Sequence, residues 1–393
     1  MQLFKHQNKY ASGYKDKELV VHEGGTGKTV CACVWLKDNR DSRALVVCPK
    51  RIVKKWEQEL EKWGAKAFVV SKENFKKMDP DDWSALVIDE ADEFASPLFT
   101  KQRSQLTESL YNQVRIFPNV PILLLTATPI RSNPWNLHTL LVFKGHYVDW
   151  KKWRGAFFSL ERRPYLPRPA WIPRPDWRRK IRTVLERHSD IVLLRDCVGE
   201  LPPKIEEVIK VKPKGQFVLD PEWVEPAKIF VERHKWEQND KVKDILEQAK
   251  DYRKVIIVAY YRPEVERLAK ELSKHRETFM VHGGTKGQEE ILQHANSDNV
   301  DECFLVVQGS LGVGWDGDTF SQVIYTSMSY KVRDYVQMGY RVRRIHNLRP
   351  VKFTFLIGGK CDQNVYNTIK LGRDYVPSEY MENESTRITK EIK

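Results

Sequence analysis

An α/β protein with two tandem parallel-sheet domains is the fold that this sequence predicts, and three observations predict it. The chain has 393 residues, more than one ordinary domain holds and enough for two hydrophobic cores. Short β-branched runs alternate with longer amphipathic stretches, the pattern of strands joined by crossover helices. Hydrophobic residues make up 41% and charged residues 30% of the chain, the balance of a soluble globular protein rather than a disordered one.

In the first third, strands are expected at 19–21, 44–48, 67–70, 86–88 and 122–125. The stretch 53–63 sets Trp56, Leu60 and Trp63 four and three residues apart, so they share one face of a helix. From 150 to about 195 the composition changes. Pro164, Pro167, Pro169, Pro173 and Pro175 accompany Trp150, Trp153, Trp171, Trp177 and a cluster of arginines, which reads as an insertion or linker. Beyond Pro202 and Pro203 the alternation resumes, with strands expected at 207–211, 255–260, 279–281, 304–307, 323–325 and 353–357. The domains are therefore drawn as 1–149, an insertion and linker at 150–205, a second domain at 206–365, and a tail at 366–393 that is polar and frayed from about Val376.

Sixty-six Lys and Arg against fifty-three Asp and Glu leave a formal charge of +13, which favours polyanionic partners, nucleic acid first among them. A basic but merely solvated surface is the alternative reading of charge alone. Apolar runs such as 120–125 stop far short of the roughly 20 residues needed to span a bilayer, so no membrane partner is expected. The first ten residues carry Lys5, His6, Gln7, Asn8 and Lys9 where a signal peptide would need an apolar core, which points to an intracellular, cytoplasmic protein. The six cysteines include no C-x-x-C pair and no His pairing at metal spacing, so they read as reduced thiols.

The chemistry-bearing residues begin with Glu23-Gly24-Gly25-Thr26-Gly27-Lys28-Thr29, between an apolar run and a stretch able to form a helix. Glycines in such a loop let Gly25, Thr26 and Gly27 turn backbone N–H groups around phosphate oxygens at a helix N-terminus. Lys28 can then reach the β and γ phosphates of ATP, and Thr29 can hold Mg²⁺. The strict spacing wants glycine at position 22, where this chain has His22. Some sixty residues on, the apolar run 86–88 ends in Asp89-Glu90-Ala91-Asp92. Asp89 can hold the same Mg²⁺ through water, and Glu90 can orient and deprotonate the attacking water. The plainer reading of the two acids is a cap on the next helix. A third apolar run, 123–125, ends in Thr126-Ala127-Thr128-Pro129, and Gln337-Met338-Gly339-Tyr340-Arg341-Val342-Arg343-Arg344 lies near the C-terminus.

The order GGTGKT, DEAD, TATP and a late Q-x-x-x-R-x-x-R resembles superfamily 2 helicases and translocases, and several details resemble the Swi/Snf branch. Leu3-Phe4-Lys5-His6-Gln7 is similar to that branch's opening motif, which implies that Gln7 reads adenine. Val47-Cys48-Pro49 with Trp56 and Glu59 is similar to its C-P…W…E segment, and Thr128-Pro129-Ile130-Arg131-Ser132-Asn133 with Leu137, Leu140 and Leu141 to its T-P-x-x-N…L-x-x-L-L. Leu194-Arg195 and Leu201-Pro202-Pro203-Lys204 resemble the crossing between its halves. The strand at 255–260, His282-Gly283-Gly284 and the run Gln308 to Asp316 resemble its segments IV to V. Tyr340 departs from the family, which often has glycine there. The TAT triplet and the missing H-R-x-G-R depart from DEAD-box RNA helicases. In size the chain resembles the compact helicases of phages and bacteria.

The resemblance implies two tandem RecA-like parallel-sheet domains forming a helicase motor core. It implies ATP at the first domain, contacts to nucleotide and nucleic acid from Gly314, Asp316 and Gln337, and Arg341 and Arg344 reaching the γ-phosphate across the interdomain cleft. Two solvated arginines are the alternative there, and a plain loop is the alternative at Gly314 and Asp316. On a helix, Arg341 and Arg344 would share a face. In the basic segment, Trp171 and Trp177 interleaved with Arg162, Arg163, Arg174, Arg178 and Arg179 suit base stacking and phosphate neutralisation. The rival is a Pro-rich connector whose tryptophans pack on the first domain. The expectation is an ATP-dependent DNA translocase or helicase, monomeric when free and acting on duplex or branched DNA. An RNA helicase and an ATP-independent nucleic-acid-binding adaptor are the alternatives.

Overall fold

The structure is a computed structural model that describes residues 3–11, 14–39, 43–99, 103–130, 133–162, 168–198, 204–218, 226–238, 240–309, 315–343, 349–372 and 374–375. The chain divides into two compact units, 1–199 and 200–393. Each is an α/β domain with one six-stranded, all-parallel sheet.

The first unit contains β1 (Lys17–His22), β2 (Leu45–Cys48), β3 (Phe68–Ser71), β4 (Leu86–Asp89), β5 (Ile122–Thr126), β6 (Phe158–Glu161), β7 (Ala170–Pro173) and β8 (Asp190–Val192). Its main sheet runs β3-β2-β4-β5-β1-β8, and β6 and β7 form a separate antiparallel hairpin. The central strands are apolar on both faces, as a parallel sheet covered by helices requires. Alternate residues feed two cores. Leu19, Val21, Leu45, Val47, Leu86, Ile88, Ile122 and Leu124 face one side. Val20, Val46, Val87, Leu123 and Leu125 face the other, against Trp35 of the helix Lys28–Asn39 and Trp56 and Leu60 of the helix Val53–Trp63.

The Trp- and Pro-rich segment is built into this unit. Trp153, Phe157 and Phe158 join the first of these cores, as do Trp177 and Ile181 of the helix Trp177–His188. β8 adds an edge strand beside β1 through Val20↔Asp190, Val21↔Ile191 and His22↔Val192. Sequence patterning gave no sign of this strand, because its three residues are too short a run to show a period.

The second unit contains β9 (Lys204–Lys210), β10 (Lys254–Ala259), β11 (Thr278–Val281), β12 (Cys303–Gln308), β13 (Gln322–Tyr325) and β14 (Val351–Ile357), in the order β11-β12-β10-β13-β14-β9. Ile256, Val258, Leu305 and Val307 face one core and Val255, Ile257, Phe304 and Val306 the other. A buried polar knot sits in this unit. Lys241 donates to Asp362 Oδ2 at 2.9 Å and to the Leu356 carbonyl at 2.7 Å, while His234 Nε2 lies 2.7 Å from Asp362 Oδ1. Among the described residues, no helix is long and apolar enough to cross a membrane.

Candidate nucleotide-binding site

Parallel strands bring their carboxyl ends to one edge of a sheet, where ligands of α/β folds bind. β4, β5 and β1 are consecutive neighbours in register, with Asp89 opposite Leu125 and Leu125 opposite Val20. The acids that follow β4 and the glycine loop that follows β1 therefore leave the sheet at the same level.

The loop after β1 turns on Gly25 (φ +86°) and Gly27 (φ +85°), left-handed conformations that side chains disfavour. Thr26 closes it by donating its hydroxyl to the Glu23 carbonyl at 2.8 Å. The helix then starts at Lys28, so its free N–H groups and the positive end of its dipole face the loop. Lys28 Nζ donates to the His22 carbonyl at 2.9 Å and the Glu23 carbonyl at 3.2 Å, which holds the ammonium within the loop. Gln7 is buried beside it and donates Nε2 to the Thr26 carbonyl at 3.3 Å, while its Oε1 accepts from Phe4 N at 3.0 Å.

His22 occupies the place where a strict phosphate loop has glycine. It is fully buried, with Nε2 2.8 Å from Asp190 Oδ2. Asp190 also accepts from the Tyr10 hydroxyl and Lys9. Burial alone would raise the Asp190 carboxyl, but the hydrogen bonds from His22, Lys9 and Tyr10 outweigh it and hold the group well below the usual range. Burial pushes the His22 imidazole down, against its bond to Asp190. Glu23 is tied to the same edge strand: its N–H donates to the Val192 carbonyl at 2.9 Å and its Oε2 accepts from Leu194 N at 2.7 Å. Sequence reasoning missed Glu23, His22 and Asp190 as loop supports, since about 170 residues separate the partners.

After β4, the Trp56 indole donates to Asp89 Oδ2 at 3.0 Å and Glu90 N donates to Asp89 Oδ1 at 2.9 Å, so the buried carboxylate is fixed on both oxygens. Glu90 adopts φ +53°, ψ +52°, a left-handed conformation rare for a residue with a β-carbon and a mark of local strain at functional positions. Thr126 donates to Asp92 Oδ1 at 3.0 Å and accepts from Thr128 N at 3.0 Å, linking the TATP turn to the acidic run. The assembly offers inward N–H groups, a lysine and an oriented carboxylate, which suits a polyphosphate and a hard divalent cation.

In the second unit, Gln337 and Arg341 lie on the helix Val332–Val342, four residues apart. Arg341 donates to the Trp315 carbonyl at 3.1 Å, and Asp316 is exposed beside it. The helix ends at Val342, with Arg343 at φ −98°, ψ +98°. Gly314 and Arg344 lie outside the described residues.

The basic segment divides by burial. Trp171 is 41% exposed, with the Arg154 guanidinium 4.2 Å from its ring centre and 4.9 Å from that of Trp150. These side chains, with Phe99, Trp135 and Phe158, line a cavity of about 260 Å³. Arg162 and Arg179 are exposed, and Arg174 is held by a bond to the Gly155 carbonyl at 3.2 Å. Trp177, expected to stack on bases, is instead 7% exposed and packed in the core, with Arg178 4.7 Å over its ring. Its position in the first turn of an amphipathic helix turns it inward. Arg163 lies outside the described residues.

Residues 237–346 match the family described as the helicase conserved C-terminal domain. Among solved structures, the chain is similar to the Sulfolobus solfataricus SWI2/SNF2 ATPase core in complex with dsDNA. The two are 16% identical over 97% of this chain and 94% of that chain, with a TM-score of 0.42. No curated protein matches the sequence.

Proposed function

We propose that this chain is a superfamily 2, Swi/Snf-like helicase, a nucleic-acid-stimulated ATPase that translocates on duplex or branched DNA and remodels or unwinds it. The observation that carries the reading is the convergence of the Gly25–Thr29 loop and Asp89–Glu90 at one sheet edge, with both elements locked by buried partners. The residues present fit ATP with Mg²⁺. A β-carbon on Gly27 would come within 2.4 Å of the Gln7 amide nitrogen, so glycine at this position is what lets the residue assigned to adenine pack against the loop. Thr29 and Asp89 would hold Mg²⁺, which neutralises charge on the phosphates.

Lys28 exchanges its carbonyl partners for β and γ phosphate oxygens, and Gln7 presents its amide to adenine. Glu90 accepts the proton of the attacking water. Arg341 and Arg344, with Asp316, Gly314 and Gln337, are assigned to sensing and stabilising charge during turnover. The +13 charge, Arg162, Arg163, Arg174, Arg178 and Arg179, and the exposed ring of Trp171 support a nucleic-acid partner.

Phosphate release measured with single-stranded, duplex, forked and four-way DNA, and with RNA, tests this reading. Stimulation strongest with duplex or branched DNA is expected. Stimulation by RNA alone would replace DNA with RNA as substrate, and no hydrolysis with any of them would end the motor reading.

A further inference from the structure

A cluster that neither phosphate chemistry nor nucleic-acid binding uses lies beside the glycine loop. His6, His22 and Cys31 each offer one ligand atom, and these atoms lie within 4.8 Å of one another. Cys31 Sγ is 4.0 Å from His22 Nδ1, and Cys197 Sγ is 3.5 Å from His6 Nδ1. The other nitrogen of each ring is taken. His6 Nε2 lies 2.8 Å from the Thr26 carbonyl and His22 Nε2 lies 2.8 Å from Asp190 Oδ2. A carbonyl and a carboxylate only accept, so both imidazoles donate through Nε2, which leaves the Nδ1 atoms to face a metal. Oxygen acceptors behind zinc-binding histidines fix ring and tautomer in the same way. Cys31 faces His22 Nδ1, whereas Cys197 Sγ is also 4.0 Å from His6 Nε2 and so lies to the side of the His6 ring, off its Nδ1 lone pair.

We propose that His6, His22, Cys31 and Cys197 form a binding site for a borderline-soft divalent cation, zinc foremost. Zinc bonds of about 2.0–2.1 Å to nitrogen and 2.3 Å to sulfur in a tetrahedron put neighbouring ligand atoms roughly 3.3–3.8 Å apart. The His6–Cys197 pair has that separation, 3.5 Å, but not that direction, so the His6 ring must turn for its Nδ1 and the Cys197 sulfur to share one metal. The His22–Cys31 pair needs a contraction of a few tenths of an ångström, and Cys197 must close toward the other three. His22 and Cys31 are fully buried, whereas His6 and Cys197 are only partly buried and leave a way in. Two sulfur and two imidazole ligands select zinc over Mg²⁺, so this site does not compete for the cation expected beside Asp89. On binding, the thiol protons pass to solvent and both sulfurs coordinate as thiolates.

Such a site would clamp together three segments around the loop: the N-terminal turn that carries Gln7, the β1 end with the helix after it, and the helix Leu194–Val198. The inference does not rest on the motor reading, and its test does not use ATP.

The full chain, carrying no affinity tag and passed through gel filtration, is assayed for bound metal by mass spectrometry and then exchanged with Co²⁺. About one zinc per chain is expected, with the intense visible bands of tetrahedral Co²⁺ and a near-ultraviolet sulfur-to-cobalt charge-transfer band. Cys31→Ser should weaken that band and lower metal occupancy severalfold. Cys197→Ser, at a partly exposed position that spares the core, should do the same if Cys31→Ser fails to fold. A metal-free wild-type chain that shows only the pale spectrum of hydrated Co²⁺ would overturn the proposal. So would a Co²⁺ spectrum unchanged in Cys197→Ser and His6→Gln. Either result would leave the cluster as a hydrogen-bonded support for the loop.

Discussion

A β-carbon placed on Gly27 would come within 2.4 Å of the Gln7 amide nitrogen. The residue that shapes the phosphate loop and the residue assigned to adenine are therefore in direct steric contact, and the φ of +85° at Gly27 adds a backbone reason for glycine. Gly27→Ala should disturb both parts of the site together. ATP affinity, measured with a fluorescent analogue, should fall by about tenfold or more, equivalent to about 1.4 kcal/mol. Unchanged affinity would show that neither contact matters for nucleotide.

Lys28 and Glu90 should separate binding from chemistry. Lys28→Ala loses the cation for the β and γ phosphates and should abolish turnover while far-ultraviolet dichroism and DNA binding stay near the parent values. Glu90→Gln keeps the cradle and should bind ATP without hydrolysing it. Failure of Glu90→Gln to bind ATP would contradict its assignment as the base.

Arg344→Ala should lower kcat by about 10³-fold or more if this arginine stabilises transition-state charge, with a smaller change in KM. A normal kcat would remove Arg344 from the mechanism. Arg341→Ala is a separate case, because Arg341 also holds the Trp315 carbonyl. It should affect thermal stability as well as rate.

Trp171 and Trp177 should behave oppositely. Trp177→Ala removes a core ring and should cost about 3–5 kcal/mol in denaturant unfolding. Trp171→Ala should cost little stability and weaken DNA binding by about 1–3 kcal/mol. Replacing Arg162, Arg163, Arg174, Arg178 and Arg179 together should reduce the slope of log K against log[salt] by about 0.7–0.9 per lost phosphate contact. An unchanged slope would assign these arginines to the surface of the first domain alone.

Lys241 and Asp362 are sealed in the second domain, and breaking the pair leaves a charge in the core. Lys241→Met should destabilise by about 3–5 kcal/mol. Burial alone would raise the Asp362 carboxyl, but the charge of Lys241 and the hydrogen bond from His234 hold it at about 2, below its ordinary 3.8. The pair's contribution is therefore complete above about pH 4 and lost as pH falls through about 2. Glu206, held at about 2 by hydrogen bonds from Lys204, Lys370 and Tyr335 against its burial, acts in the same direction. Glu264, raised by burial, acts oppositely, since folding favours its protonated form. Denaturant melts of wild type and Asp362→Asn across acid pH will read this, and the variant should lose the steep part of the acid decline.

The sequence by itself determined the two parallel sheets, the helix Val53–Trp63 to the residue, the glycine loop and the acids after β4. These are legible because each depends on neighbours along the chain: strand apolarity, helical spacing, and glycine where the backbone must turn left-handed. The motif around Trp56 was legible too, though only folding shows that its indole holds Asp89. Tertiary structure alone decided the rest. It inserted β8 beside β1, put Asp190 against His22, turned Trp177 inward and Trp171 outward, and gathered His6, His22 and Cys31 together with Cys197 beside His6. None of these has a local period, because each pairs residues from distant parts of the chain. They are fixed by the burial of whole elements, a constraint that acts only once the sheet exists.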